Sequence, residues 1–219
     1  MDEGLPPFIR DRRWFMYPFF WYWFKGSKNI SLYMDFKQKV WEMTDEEFTN
    51  CYKQLDSKAG DRPTDLNKKS ISQMLKSIDA DAKSLLDVGC GRGYWLKLAK
   101  EKTSLELTGC DVFESVDWPG IHYVKGSIEH LPFKDKSFDI VTCHHTIEHI
   151  RDIKKAIEEL KRVARRQLII VTPKQRYYYY TLDLHLHFFY EKEYLVSLIN
   201  IDNSFCVNCN GDWCYIASI

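Results

Sequence analysis

Residues 85–99 read LLDVGCGRGYWLKLA. The stretch opens on a short apolar run, passes through Gly89, Gly91 and Gly93 at two-residue spacing, and closes on a helical pattern. Strand, glycine loop and helix in that order begin a βαβ unit. Glycine permits a positive φ and lets a ligand approach the backbone. In open α/β sheets, ligands bind beyond the carboxyl ends of the strands, near the topological switch. The dinucleotide fingerprint is G-x-G-x-x-G, whereas this loop is G-x-G-x-G with Asp87 two residues ahead of it. An acid in that place repels a pyrophosphate and favours a cationic or zwitterionic ligand.

The pattern extends downstream. LELTGCD, IHYVKG and FDIVTCH read as strands, DIKKAIEELKRVA as a helix and QLIIVTP as a fifth strand. Alternation of this kind predicts a parallel sheet covered on both faces. The chain end differs: SFCVNC and DWCYIASI flank Asn210–Gly211, a strong hairpin signal. The expected fold is therefore α/β, a Rossmann-like seven-stranded sheet. It is mostly parallel with a C-terminal antiparallel hairpin and has helices on both faces. Residues 65–219 are expected to form this domain, and residues 1–64 an N-terminal aromatic arm and cap helices. Thr44 and Glu47 make a capping box for a helix to about Leu55. AGDRP at 59–63 reads as a break, followed by a helix capped by Asp65. That helix carries Leu66, Ile71, Met74, Leu75 and Ile78 on one face.

Composition bounds the function. The chain has 219 residues, 45% of them hydrophobic, so global disorder is unexpected. Lysine plus arginine equal aspartate plus glutamate at 31 each, and zero net charge argues against a large nucleic-acid footprint. Seven cysteines, with no basic-then-apolar leader in MDEGLPPFIRDRR, predict a reduced, cytoplasmic protein. Cys206, Cys209 and Cys214 lack the second CxxC pair of a common zinc site and fit a role within the hairpin. Trp14–Phe24, WFMYPFFWYWF, falls short of the roughly 20 residues that cross a bilayer. This arm is expected to pack on its own domain or on a second subunit, as in a homodimer. The other readings are a membrane interface or a lid over substrate.

LLDVGCGRG, with its supporting positions, resembles the class I S-adenosylmethionine-dependent methyltransferases, specifically the type 11 methyltransferase domain, over roughly residues 65–219. The resemblance implies S-adenosyl-L-methionine as cofactor, held by Asp87, Gly89, Cys90, Gly91 and Gly93. Asp111 and Val112 end the second strand, where the family's acid grips the ribose hydroxyls. Ser127 and Ile128 would flank the adenine, Ser127 replacing the usual aspartate. His144 would neighbour the methionine end.

Five of the seven histidines lie in TCHHTIEHI (142–150) and DLHLHFF (183–189). The family places acceptor chemistry after strand four, where the first stretch falls. A histidine near its ordinary pKa of about 6.5 suits proton removal at neutral pH. His145 and His185, in that order, are the candidate bases. A similar segment in ubiquinone-biosynthesis O-methyltransferases carries two glutamates and a histidine implicated in metal binding. Here Glu148 and His149 match and His145 replaces the first glutamate. No metal is expected, the alternative being a site at His145, Glu148 and His149. Fewer carboxylates suit magnesium less and softer metals more. His187 and Phe188 match a segment that packs the loop in the family. Tyr177, Tyr178 and Tyr180 would wall the acceptor pocket, or else form a lid against the arm.

Methyl transfer from a sulfonium is an in-line displacement in which positioning supplies much of the rate. No Asn/Asp-Pro-Pro-aromatic motif follows strand four, which argues against adenine-N6 or glutamine-amide methylation. The expected function is O-methylation of a small-molecule or carbohydrate-type acceptor, in surface-polysaccharide or secondary metabolism. The alternatives are a non-catalytic S-adenosylmethionine-binding partner protein and a nicotinamide-dependent oxidoreductase. The glycine spacing, Asp87 and the terminal hairpin speak against the latter.

Overall fold

The glycine loop leaves the central strand of a sheet. The structure, a computed structural model, describes residues 5–55, 57, 61–113 and 118–219. Strand β1 (Ser84–Val88) is buried from Leu85 to Val88, as a strand covered on both faces requires. Around it lie β2 (Glu106–Asp111), β3 (His122–Lys125), β4 (Phe138–His144), β5 (Ala164–Pro173), β6 (Ser204–Cys209) and β7 (Asp212–Ser218). Their order is β3-β2-β1-β4-β5-β7-β6. β1 to β5 pair in parallel, while β7 runs antiparallel to both β5 and β6. The expected architecture, including the terminal hairpin, is thus the observed one.

Register positions the site. Val88 pairs with Cys110 on β2 and with Cys143 on β4. Gly89, Asp111 and His144, each one residue further on, therefore emerge side by side at the carboxyl edge. Alternate residues of a strand face opposite ways. Leu86 and Val88 join one core, with α8 (Ile153–Val163) and α9 (Lys192–Ile199); Leu85 joins the other, with α6 (Lys68–Ser77) and α7 (Tyr94–Lys102). On α8, Ile153, Ala156, Ile157, Leu160 and Val163 are all buried, a helical-period stripe. Each large aliphatic side chain so buried contributes about 1.5–3 kcal/mol.

The capping box before α5 (Asp45–Lys53) forms: Glu47 N donates to Thr44 Oγ1 at 3.2 Å, and Thr44 N to Glu47 Oε2 at 2.8 Å. The cap of α6 differs from expectation. Asn67 Oδ1 accepts from Lys69 N and Ser70 N at 2.8 and 3.0 Å, while Asp65 pairs with Arg62 at 2.8 Å. Asn67 can do both jobs of this site, because its amide also donates to Asp212 Oδ2 at 2.7 Å. Of the expected break at 59–63, positions 59 and 60 lie outside the described residues.

The arm forms α1 (Pro7–Arg10), α2 (Arg13–Trp23), α3 (Ile30–Met34) and α4 (Phe36–Lys39). Met16, Phe20 and Phe24 point inward and build a third core with Tyr33, Phe36 and Leu184. Phe20 meets Tyr180 edge-on at 6.2 Å between ring centroids. The Lys37 ammonium sits 4.4 Å from the Tyr177 ring and 4.2 Å from that of Phe188. Burial lowers the Lys37 pKa to about 7, with Asp11 opposing. The arm therefore packs on residues 177–188 of its own chain.

Candidate active site

Each glycine of the loop has a positive φ: +72° at Gly89, +50° at Gly91 and +66° at Gly93. Gly89 is constrained twice, since a Cβ there would lie 2.2 Å from Thr146 Oγ1. At Gly91 a Cβ would meet nothing within 4 Å, so its constraint is conformational and the space before it is open. Gly91 N donates to Asp111 Oδ2 at 2.8 Å, and Phe113 N donates to Asp111 Oδ1 at 3.1 Å. Burial raises the pKa of Asp111, and the N–H groups of Gly91, Phe113 and Val112 oppose that rise. Asp87 is fully buried, accepts from Thr142 Oγ1 at 2.7 Å and lies 3.2 Å from His144 Nε2.

A cavity of about 670 Å³ opens at these strand ends. Gly89, Asp111, Val112, Ser127 and Ile128 line one end, and His145, Glu148, His149 and His185 line the other. Asp87, Cys90, Gly91, Gly93 and His144 are not in its wall. Asp87 and His144 are turned into each other and into Thr142, bracing β1 against β4. Cys90, Gly91 and Gly93 border a separate shallow recess beside Trp118. Tyr177, Tyr178 and Tyr180 are likewise absent from the cavity wall. The Lys37 ammonium and the Phe20 ring draw Tyr177 and Tyr180 toward the arm, and Tyr178 packs against Phe188 at 5.8 Å.

The histidine end is dense in ionisable groups. His145 adopts φ +47°, uncommon outside glycine, and its N–H is held by Val171 O at 2.9 Å. Its Nδ1 lies 3.5 Å from Glu148 Oε1 and its Nε2 3.6 Å from Asp212 Oδ2. These contacts are ionic rather than well-formed hydrogen bonds. Burial alone would lower the His145 pKa, but Asp212 and Glu148 outweigh it and lift the value to about 10. Glu148 is fully buried; burial would raise its pKa, yet His145, with His149 and His185 near, holds it at about 2. His145 is therefore held as an imidazolium at neutral pH, a form with no lone pair to accept a proton.

His185 is its opposite. Burial drives its pKa down to about 3, with His149 adding to the fall. His185 Nδ1 stands 2.7 Å from Gln175 Oε1, an oxygen that only accepts. Nδ1 thus carries the proton and Nε2 keeps a lone pair. Tyr52 donates its one proton to Leu184 O at 3.2 Å and so accepts from His149 Nδ1 at 3.4 Å. His187 Nε2 donates to Ile150 O at 2.8 Å, a packing role. Neither Glu148 oxygen has a hydrogen-bond partner among the described residues. Glu148, His149 and His185 each offer an atom within 4.8 Å of the others, a donor set that could hold a metal ion. His185 takes the place of His145 in the set expected from sequence.

Tyr52, Gln175, Asp183 and Asp212 also line the cavity and were missed by sequence reading. Asp212 follows the Asn-Gly turn and is held by Asn67 and by Ser70 Oγ at 2.6 Å. Its place after the turn was a usable signal, whereas Tyr52, on a capped helix far from the glycine loop, carried none.

The profile of the methyltransferase domain family matches residues 86–171, from β1 into β5. The chain is 30% identical over 108 residues to the uncharacterised methyltransferase YcgJ of Bacillus subtilis (strain 168), covering 44% of this chain and 42% of that one. It is 33% identical over 141 residues to protein MJ0638 of Methanocaldococcus jannaschii, covering 63% and 59%. The chain thus spans less than two thirds of either relative. A SAM-dependent methyltransferase from Aquifex aeolicus shares the fold, with a TM-score of 0.58 at 20% identity over 74% of this chain and 96% of that one. The glycine loop and the strand-end acid thus fall within residues 86–171, the segment that matches the methyltransferase domain family, and the 3-2-1-4-5-7-6 sheet around them shares its fold with the Aquifex aeolicus enzyme.

Proposed function

We propose that the protein transfers a methyl group from S-adenosylmethionine to a hydroxyl oxygen of a small-molecule or carbohydrate-type acceptor. The observation that carries this reading is the cavity itself, which joins the glycine-loop end to a buried histidine with a free Nε2 lone pair. The cofactor fits the first end. Gly89 borders the cavity where its amino-acid part would lie, Asp111 keeps lone pairs for the ribose hydroxyls, and Val112 and Ile128 offer apolar walls to adenine. When bound, S-adenosylmethionine supplies an electrophilic methyl on a sulfonium. His185 Nε2 accepts the proton that leaves the acceptor hydroxyl. Although burial makes His185 a weak base, a methylated oxonium is far more acidic than an imidazolium, so the lone pair suffices. His145, as a fixed cation, orients an electron-rich group of the acceptor. The charged, compact wall supports a polar acceptor of modest size, as in surface-polysaccharide or secondary metabolism.

Calorimetry with S-adenosylhomocysteine and with NAD tests the cofactor, with binding of the first alone expected. Mass spectrometry of hydroxylated acceptor panels tests the reaction, and His185→Ala should lower turnover about 10²-fold or more with cofactor affinity unchanged. Cofactor binding with no acceptor methylated would favour the non-catalytic partner reading.

A second reading rests on the Glu148 carboxylate, whose oxygens accept no hydrogen bond among the described residues. A divalent ion held by Glu148, His149 and His185 would give it partners and would make His185 a ligand instead of a base. Cobalt titration followed by visible absorption, with Glu148→Gln as control, separates the two readings.

A further inference from the structure

Helix α2 has two apolar faces where a surface helix needs one. Met16 and Phe20 are buried against the third core. On the outward side Trp14, Tyr17 and Trp21 stand at i, i+3 and i+7, exposed by 75, 47 and 56%. Tyr22 and, from α1, Phe8 extend the same exposed aromatic surface. Large rings in water cost free energy unless something covers them.

The charge around them leans basic. Residues 1–30 carry Arg10, Arg12, Arg13, Lys25 and Lys28 against Asp2, Glu3 and Asp11, in a chain with zero net charge. Asp35 and Asp61 answer Arg13 and Lys25. Arg12 and Lys28 flank the two ends of α2 and are exposed. A second copy of the chain, docked through this face about a two-fold axis, would bring like charges together. An anionic lipid surface would meet them with opposite charge. Tryptophan and tyrosine, with apolar bodies and polar tips, suit the lipid–water boundary. At 11 residues α2 is about 16 Å long, too short to cross the membrane but sufficient to lie in its interface.

We propose that the outward face of α1 and α2 docks the protein on an anionic phospholipid bilayer, with α2 lying in the plane of the interface. The same helix packs through Phe20 on Tyr180, close to Leu182 of the cavity wall, so docking sets the cavity beside the membrane.

The test is vesicle flotation of the full chain. Vesicles of phosphatidylcholine alone are compared with vesicles in which a third of the lipid is phosphatidylglycerol. Flotation with the second and not the first is expected. Trp14→Ser with Trp21→Ser should abolish it while leaving the thermal melt unchanged. Arg12→Glu with Lys28→Glu should weaken it by about tenfold or more. Equal flotation with both vesicles would overturn the anionic assignment. No flotation, or a concentration-dependent dimer that the tryptophan variant dissolves, would overturn membrane docking altogether.

Discussion

The two ends of the cavity are built in different materials. The glycine-loop end rests mostly on backbone: Gly89 at positive φ in the wall, and one carboxylate, Asp111, held by the N–H groups of Gly91 and Phe113. The histidine end is mostly buried ionisable side chain, with His145, Glu148, His149 and His185 set against Asp212 and Tyr52. Backbone geometry is fixed by the sheet and tolerates little change, which suits a constant ligand. Buried charge is held by mutual neutralisation and can be rearranged by a few substitutions, which suits a ligand that varies among relatives. The first end should therefore break sterically, and the second electrostatically.

The largest effect is expected at the histidine end. His145→Ala leaves Glu148 buried beside one fewer cation and should cost about 3–5 kcal/mol in denaturant unfolding at pH 6. Its pH dependence follows from the two shifts. His145 is raised from 6.5 to about 10, so its contribution is full below pH 6.5 and is lost as pH rises through 10. Glu148 is lowered from 4.5 to about 2, so its contribution is present above pH 4.5 and is lost as pH falls through 2. The pair stabilises most between pH 4.5 and 6.5. The decline of wild-type stability above pH 6.5 should be shallower in the variant, and an identical slope would remove the ion pair from the account.

At the other end Gly89→Val combines a disallowed φ with a collision at Thr146. A loss of about 3 kcal/mol is expected in the same assay, with little dependence on pH. A pronounced pH dependence for this variant would erase the distinction between the ends. Asp111→Asn should keep the fold and reduce affinity for S-adenosylhomocysteine by about 10- to 100-fold, the worth of a charge-assisted hydrogen bond. The smallest effect belongs to His187→Ala, about 1 kcal/mol of stability for one lost bond to Ile150 O, with turnover unchanged. A turnover loss there would move His187 from packing into the reaction.

The same division explains what was legible in the sequence. The glycine loop, the strand after it and the terminal hairpin are written in contiguous residues, so LLDVGCGRG and the Asn-Gly turn sufficed to read the sheet. α7 and β4 fall on YWLKLAKEK and FDIVTCH residue for residue. The charge states of His145 and His185 are not local. His145 owes its proton to Asp212, 67 positions away, and His185 its tautomer to Gln175 on the far side of the tyrosine run. Sequence reading put His145 ahead of His185 as candidate base, while burial and partners give the two opposite charge states. Of the two places expected for the tyrosines, the packing against the arm depends on Lys37 and Phe20, which lie far away in sequence.

One backbone feature bears on how this cavity moves. The N–H groups of Leu186 and His187 both donate to the carbonyl of Glu148, at 2.8 and 3.0 Å. The segment that carries His185 is thereby stitched to the turn that carries Glu148 and His149. Excursions of the arm leave those two bonds intact. In hydrogen exchange, the Leu186 and His187 amides should open with the sheet, on its slow timescale, although neither belongs to a strand or helix. The arm above them should exchange sooner. The histidine floor would then stay as it is while the arm above it breathes.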